Sequence, residues 1–540
     1  MLGLMQNAPL LLTDILRQAV RNFPDQEVVT RLVEGGIHRY TFKDASKRIA
    51  KAAHALTAMG VQKGDRIGVI GWNTHRQLEL YYAISCIGAI CHTINPRLGP
   101  ENAGYVIGHA ENKAIFYDAT FAPLVAGIAK TVDCVERYVE LCPEGTVTDN
   151  GLGADSYEAL IADHPEEFDW PTFDENTACS MCYTSGTTGK PKGVLFSHRA
   201  LVLETIVSCL PTGLGCSRND TVLPVVPMFH VNAWGVPYSA LLIGMKLVMP
   251  GPGLDGENLH ELIIKENVTY ALGVPTVWLN LLAYIESKGL DLGNLRYSIV
   301  GGSALSAKII REYDKYGVRT RQAWGMTEMS PLGTVNMETP GFYDLPEEER
   351  IALQLRQGQA MPFVDMRVVG PDGKELPYDG KSDGVLQVRG PWIIDRYYKA
   401  DKPAVDEDNW FDTGDVALIH PDGSMHITDR AKDVIKSGGE WISSIDIENL
   451  ALNHPDVAQA AALGMPHPKW DERPLLVVQL KEGASGDTKA IQEFVNGQLS
   501  KISWVDDVQV VDEIPLGATG KVLKTKLREH FADYTLPTAA

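Results

Sequence analysis

No apolar run in the 540-residue sequence reaches the roughly 18 residues that a membrane-spanning helix needs. The opening stretch MLGLMQNAPLLLTDIL also lacks the basic segment of a secretory leader. Positive charge is scarce: 49 Lys and Arg stand against 69 Asp and Glu, a formal net charge of −20. That balance argues against nucleic acid or an anionic membrane as the main partner, so any anionic ligand needs a local set of donors and cations. Cysteine is sparse as well. All eight fall before residue 217, and Cys179 and Cys182 form the one CxxC. No second CxxC or histidine pair completes a zinc set, so the pair reads as small buried residues in a strand. Free thiols suit a reducing, cytoplasmic setting.

What is present is a loop-rich α/β chain, with 50 Gly and 31 Pro. Its length asks for two to four domains or subdomains. RIGVIGW (66–72) reads as a buried strand, HRQLELYYAISCIGA as a helix, and ICHTINPRL as a strand and turn. This strand–helix–strand order recurs through about 400 residues and predicts parallel sheets covered by helices. The stretch 143–178, rich in Gly, Pro, Asp and Glu, reads as a connector. After residue 430 the texture tightens. Strands VAQAAALGM, RPLLVVQL and DVQVVDEI and a helix TKAIQEFVNGQLSKI predict a small α+β domain over 431–540, behind a large N-terminal domain over 1–430.

The connector leads into MCYTSGTTGKPKGVLFSH (181–198). Glycines free backbone N–H groups, Ser and Thr hydroxyls add donors, and Lys190 and Lys192 add charge, which together make a cradle for an anion. The G-x-x-x-x-G-K-[ST] pattern is not met, because Pro191 follows Lys190. A triphosphate is still the natural ligand for such a loop.

YTSGTTGKPKG (183–193) resembles the phosphate loop of the acyl-adenylate-forming superfamily, which spans acyl-CoA synthetases, luciferases and peptide-synthetase adenylation domains. PMFHVNAWG (227–235), GGSALS (301–306), QAWGMTE (322–328), WFDTGDVA (410–417), TDRAKDVIKSGGEWIS (428–443) and PLGATGK (515–521) follow in the family's order, so the resemblance spans the chain. It implies a large domain of two sheet-and-helix subdomains plus a β-barrel, with a small mobile C-terminal domain. It also implies a two-step reaction: a carboxylate attacks the α-phosphate of ATP and expels pyrophosphate, then the thiol of coenzyme A attacks the acyl-adenylate and releases AMP. Bringing two anions together calls for cations and a metal, Mg2+.

By this resemblance Thr184, Ser185, Gly186, Thr187, Thr188, Gly189 and Lys192 hold the β- and γ-phosphates. Glu328 is the metal ligand, with Thr184 a second candidate, and Thr327 donates to the α-phosphate. Gly302, Ser303, Ala304, Trp324 and Gly325 wall the adenine and acyl sites. Asp415 accepts from the ribose hydroxyls, and Arg430 reaches ribose or phosphate. Lys521 bridges carboxylate and α-phosphate during adenylation. Lys432 is the hinge about which Lys436, Gly438, Gly439, Glu440 and Trp441 come to face the incoming thiol. His230, Val231, Asn232, Trp234, Gly235, Gly301, Met329 and Pro331 line the acyl pocket, with Gly302 and Trp324.

These acyl segments contain no Lys or Arg to meet a second carboxylate, and two tryptophans narrow them. Acetate-activating relatives carry a further tryptophan where Gly325 stands, which leaves room here beyond two carbons. Within the superfamily the sequence is most similar to medium-chain acyl-CoA ligases and to ligases of 3-methylmercaptopropionate. The expected partner is thus a small uncharged, unbranched carboxylic acid, with that thioether acid first and a medium-chain fatty acid second. Luciferase-like oxygen chemistry and loading of a separate carrier stay open. A non-catalytic scaffold would tolerate loss of Glu328, Asp415, Arg430 or Lys521, yet all four are present. The family also suggests a homodimer.

Overall fold

The computed structural model describes residues 1, 3–184, 190–438, 440–516 and 522–539. They divide into two compact units: residues 1–354, 361–364 and 390–409, and residues 355–360, 365–389 and 410–540. The expected hinge residue Lys432 lies inside the second unit.

The first unit is built on two sheets. Strands such as Ile90–Thr93 and Arg66–Ile70 are buried nearly throughout, as strands covered on both faces must be. One sheet runs in the order Asp155–Ser156, Arg137–Glu140, Asn112–Tyr117, Arg66–Ile70, Ile90–Thr93, Ala178–Tyr183, Gly193–Ser197. Its neighbours are parallel except for the last pair. The stretch 143–178 is therefore more than a connector. It supplies the edge strand Asp155–Ser156 and the helix Tyr157–Ala162, which Ser156 caps by accepting from Ala159 N–H. Tyr157 is fully buried and donates to Glu79 at 2.8 Å, a contact between distant segments that local composition cannot announce.

The second sheet places Tyr297–Val300, Tyr270–Gly273, Thr221–Pro224, Lys246–Met249 and Glu27–Arg31 in parallel succession. Arg319–Gly325 continues it in parallel, and Leu332–Val335 turns back against that strand. Asn73 joins the two sheets. Its amide donates to the carbonyls of Pro224 (2.8 Å) and Val226 (2.9 Å), and its carbonyl accepts from Met228 N–H at 2.6 Å. These bonds lie beyond the carboxyl ends of Arg66–Ile70 and Thr221–Pro224, where open α/β sheets bind ligands.

The second unit holds an antiparallel sheet of Asp365–Val369, Gly384–Arg389, Phe411–Ile419 and Met425–Arg430. A second sheet pairs Val457–His467 with Asp471–Leu480, and Asp507–Val510 adds to it in parallel. The helix predicted over 488–502 stops at Asn496, because Gly497 follows and a short 3-10 turn, Lys501–Ser503, takes over. No described helix is long and apolar enough to cross a membrane.

Candidate active site

Cys179 and Cys182 sit buried as free thiols in the strand Ala178–Tyr183. That strand pairs antiparallel with Gly193–Ser197, and the phosphate-loop motif joins the two. Two hydrogen bonds close the loop's base: Thr184 N–H donates to the Lys192 carbonyl (2.9 Å), and Lys192 N–H to the Thr184 hydroxyl (3.1 Å). Ser185, Gly186, Thr187, Thr188 and Gly189 lie outside the described residues.

The Lys192 ammonium stands 4.7 Å from the centroid of the Tyr397 ring, and the Tyr397 hydroxyl donates to Glu328 Oε1 at 2.7 Å. One aromatic side chain thus links the expected phosphate-loop cation to the expected metal ligand. Burial and the Glu328 charge hold the Tyr397 phenol above its usual range, so it remains a donor. Glu328 is 7% exposed, on a single 3-10 turn, Thr327–Met329. Ile394 N–H anchors that turn through the Glu328 carbonyl (2.8 Å). Thr327 is buried beside it.

The segment after His230 is a left-handed turn. Val231, Asn232, Ala233 and Trp234 have φ of 44°, 54°, 50° and 55°, and Gly235 follows at 74°. L-residues disfavour this region by about 1–2 kcal/mol each, so the surroundings must hold the turn in place. Asn232 is one such tie, accepting from Ser180 Oγ (3.3 Å) and Cys182 Sγ (3.8 Å) on the strand that leads into the phosphate loop. The Trp234 indole lies against Gly301, where an added Cβ would come within 2.8 Å of it. Trp324 and Met329 pack together over Gly333. His230 is half-buried, Pro331 and Met329 are buried, Gly302 and Ser303 are exposed, and Ala304 is half-buried.

Gly325 has a backbone reason to be glycine beyond the room it leaves for an acyl chain. An added Cβ would meet the Pro331 carbonyl oxygen at 1.9 Å, across the irregular register where Gly325 opposes Leu332. Backbone cannot rotate aside as a side chain can. Gly325→Ala is expected to destabilise the protein by about 3 kcal/mol, read as a lowered melting temperature. Unchanged melting would show that the strand can slide without cost.

In the second unit, Asp415 and Arg430 are cross-strand partners, with Arg430 Nε 2.7 Å from Asp415 Oδ1. Asp415 is 2% exposed, whereas Arg430 is half-buried, so the pair offers its guanidinium outward. Lys432 is exposed, and its carbonyl accepts from Arg528, which also pairs with Asp433 at 2.7 Å. Lys436 and Trp441 oppose each other on the hairpin Ile435–Ser437/Glu440–Ile442, so they share one face. Glu440 is exposed. Gly438 (φ 61°) donates its N–H to the Trp470 carbonyl at 2.7 Å and leaves no room for a Cβ beneath the Trp470 ring. Gly439 and Lys521 lie outside the described residues.

Residues 16–398 match the family described as AMP-binding enzyme, and residues 446–521 match its C-terminal domain. The chain belongs to the AMP-binding enzyme family. It falls in the acyl-CoA synthetase branch, whose members use ATP and coenzyme A. A 3-methylmercaptopropionyl-CoA ligase of Ruegeria lacuscaerulensis is 47% identical over 99% of both chains. A medium-chain-fatty-acid–CoA ligase of Ectopseudomonas oleovorans is 44% identical over 100% of this chain and 99% of its own. In fold, this AMP-binding enzyme superposes on an anthranilate CoA ligase bound to anthranoyl-AMP with a TM-score of 0.86, at 23% identity, over 97% of this chain and 99% of that one. Tyr397 is the residue that the motif reading missed. It stands 69 positions from Glu328 in sequence, and nothing in IIDRYYKADKP marks it.

Proposed function

We propose that this enzyme joins 3-methylmercaptopropionate, or a similarly short unbranched acid, to coenzyme A through an acyl-adenylate, releasing AMP and pyrophosphate. The observation that carries the short-acid reading is Trp234 seated on Gly301, a bulky aromatic wall fixed in place by a strained turn. The full-length likeness to a relative named for the same thioether acid supports it. A thioether chain is apolar, polarizable and unbranched, and aromatic walls suit it.

The residues carry the roles that the family's motifs suggest. The loop closed by Thr184 and Lys192 holds the terminal phosphates, Asp415 and Arg430 orient the ribose, and Lys521 stabilises charge as the carboxylate meets the α-phosphate. Mg2+ fits the donors present. Glu328 is nearly buried, its carboxylate has no paired cation among the described residues, and the one described hydrogen bond to that carboxylate comes from Tyr397. No group of three or more His, Cys, Asp or Glu ligands is found among the described residues. Mg2+ is characteristically held by one or two carboxylates together with phosphate oxygens, so Glu328, with Thr184 nearby in the motif set, is enough. When bound, the ion neutralises triphosphate charge. We further propose rotation about Lys432, which withdraws the Lys521 loop and presents the Lys436–Trp441 hairpin to the thiol. A homodimer in the cytoplasm is proposed on the same footing, the latter supported by eight unpaired thiols.

The test is release of AMP and pyrophosphate with ATP, Mg2+ and a panel of acetate, butyrate, octanoate, palmitate, benzoate and 3-methylmercaptopropionate, with and without coenzyme A. The expected result is coenzyme A-dependent turnover peaking at the thioether acid or butyrate. A peak at octanoate would favour the medium-chain reading, in line with the second relative. Adenylation without a coenzyme A thioester would overturn the ligase reading.

A further inference from the structure

Helix His198–Ser208 follows directly from the phosphate-loop hairpin, capped by Ser197. Its one acidic residue, Glu204, is 1% exposed, and neither carboxyl oxygen has a hydrogen-bond partner. Glu79, equally buried, shows what the fold does with a structural carboxylate: Arg48 pairs with it at 2.7 Å and Tyr157 donates to it. Glu204 has neither kind of partner among the described residues. With no countercharge, burial pushes its carboxyl well above the usual carboxylate range, which favours the uncharged acid with an O–H to give.

A buried polar group left unsatisfied is costly, and its persistence calls for a partner that arrives later. The position of Glu204 suggests which. A Cβ at Gly235 would lie 2.9 Å from Glu204 Oε2, so the carboxyl sits against the end of the left-handed turn, next in sequence to Trp234. Trp234 in turn rests on Gly301. The acid therefore adjoins the segment proposed to enclose the acyl chain.

We propose that Glu204 is a specificity-determining residue, its carboxyl group donating a hydrogen bond to a heteroatom near the distal end of the bound acyl chain. This inference rests on the acid–CoA ligase reading above, where that heteroatom is the thioether sulfur. A buried donor favours a substrate that offers an acceptor and disfavours one that leaves the donor unpaired. Sulfur is a weak acceptor, so the preference is modest.

The test compares 3-methylmercaptopropionate with pentanoate, which differ by sulfur against methylene at the same position. In the full-length enzyme with ATP, Mg2+ and coenzyme A, the thioether acid is expected to lead in kcat/KM by about threefold, the effect of one weak hydrogen bond. Glu204→Gln keeps an N–H donor at the same volume and retains most of that preference. Glu204→Met, unbranched and of similar size, brings the ratio close to one, mainly by raising KM for the thioether acid. Its melting temperature is expected to hold or rise, because an unpaired polar group leaves the core. Glu204→Leu serves as a second apolar replacement should the Met variant fold poorly. A merely structural carboxyl would shift both acids together, and an unchanged ratio in the Met or Leu variant overturns the inference. So does a wild-type enzyme that makes both thioesters equally well. No acyl-CoA from any short acid overturns the ligase reading instead, and the inference falls with it.

Discussion

Glu328→Gln is expected to lower kcat/KM for adenylation by about a thousandfold or more, at nearly unchanged stability. The substitution keeps the size of the side chain and an oxygen for the Tyr397 hydroxyl, whose bond to Glu328 Oε1 is 2.7 Å. The backbone anchor from Ile394 to the residue 328 carbonyl is untouched as well. What disappears is one negative charge, 7% exposed and with no described cation beside it. If that charge holds Mg2+ at the triphosphate, its loss removes a stabilisation that grows as charge moves onto the leaving pyrophosphate. A second readout separates this role from a structural one. Calorimetry should show Mg2+ strengthening ATP binding to the wild-type enzyme and failing to do so in the variant, with melting temperatures alike. A variant retaining more than a tenth of wild-type activity would remove Glu328 from the charge-neutralising set. A variant that melts early would recast it as a fold residue.

The frame of the first unit was legible because its strands advertise themselves. Arg66–Ile70 is a short, largely apolar run, His75–Cys86 after it is helical in pattern, and Ile90–Thr93 follows as the next strand. Motif residues that lie near each other in sequence also meet in space: Thr184 with Lys192, and Asp415 with Arg430 across one hairpin. Features made by distant packing were not legible. Nothing in His-Val-Asn-Ala-Trp forecasts four consecutive residues in the left-handed region, least of all the β-branched Val231. Tyr397 has meaning through Glu328 and Lys192, which other elements carry. Glu204 in HRALVLETIVS would ordinarily read as the polar face of a helix, but that helix packs against Val236–Ile243 and its acid is enclosed. From the sequence, Gly325 reads as open space in a pocket. It also carries a steric demand of the backbone that sequence alone does not disclose.

Lys521→Ala is expected to separate the two halves of the reaction. Adenylation, measured as acid-dependent pyrophosphate release, should fall by about a thousandfold or more. Acyl-CoA formation from supplied acyl-adenylate should stay within a few fold of wild type. The asymmetry follows from charge. In the first half an anionic carboxylate approaches an anionic phosphate, and a single ammonium set between them is worth most as the new bond forms. In the second half a thiol attacks an acyl carbon and AMP leaves, so a cation at the incoming carboxylate's position has little to stabilise. Lys521 ends PLGATGK, and its compact charge on a four-carbon stem can enter a crowded cleft. Arginine carries the same charge on a broad planar fork, so Lys521→Arg should rescue adenylation poorly. Equal loss of both halves would mean that the substitution harms the fold or the shared nucleotide site. Full adenylation in Lys521→Ala would remove the lysine from the mechanism and leave Lys192 and Arg430 as the cations that meet the phosphates.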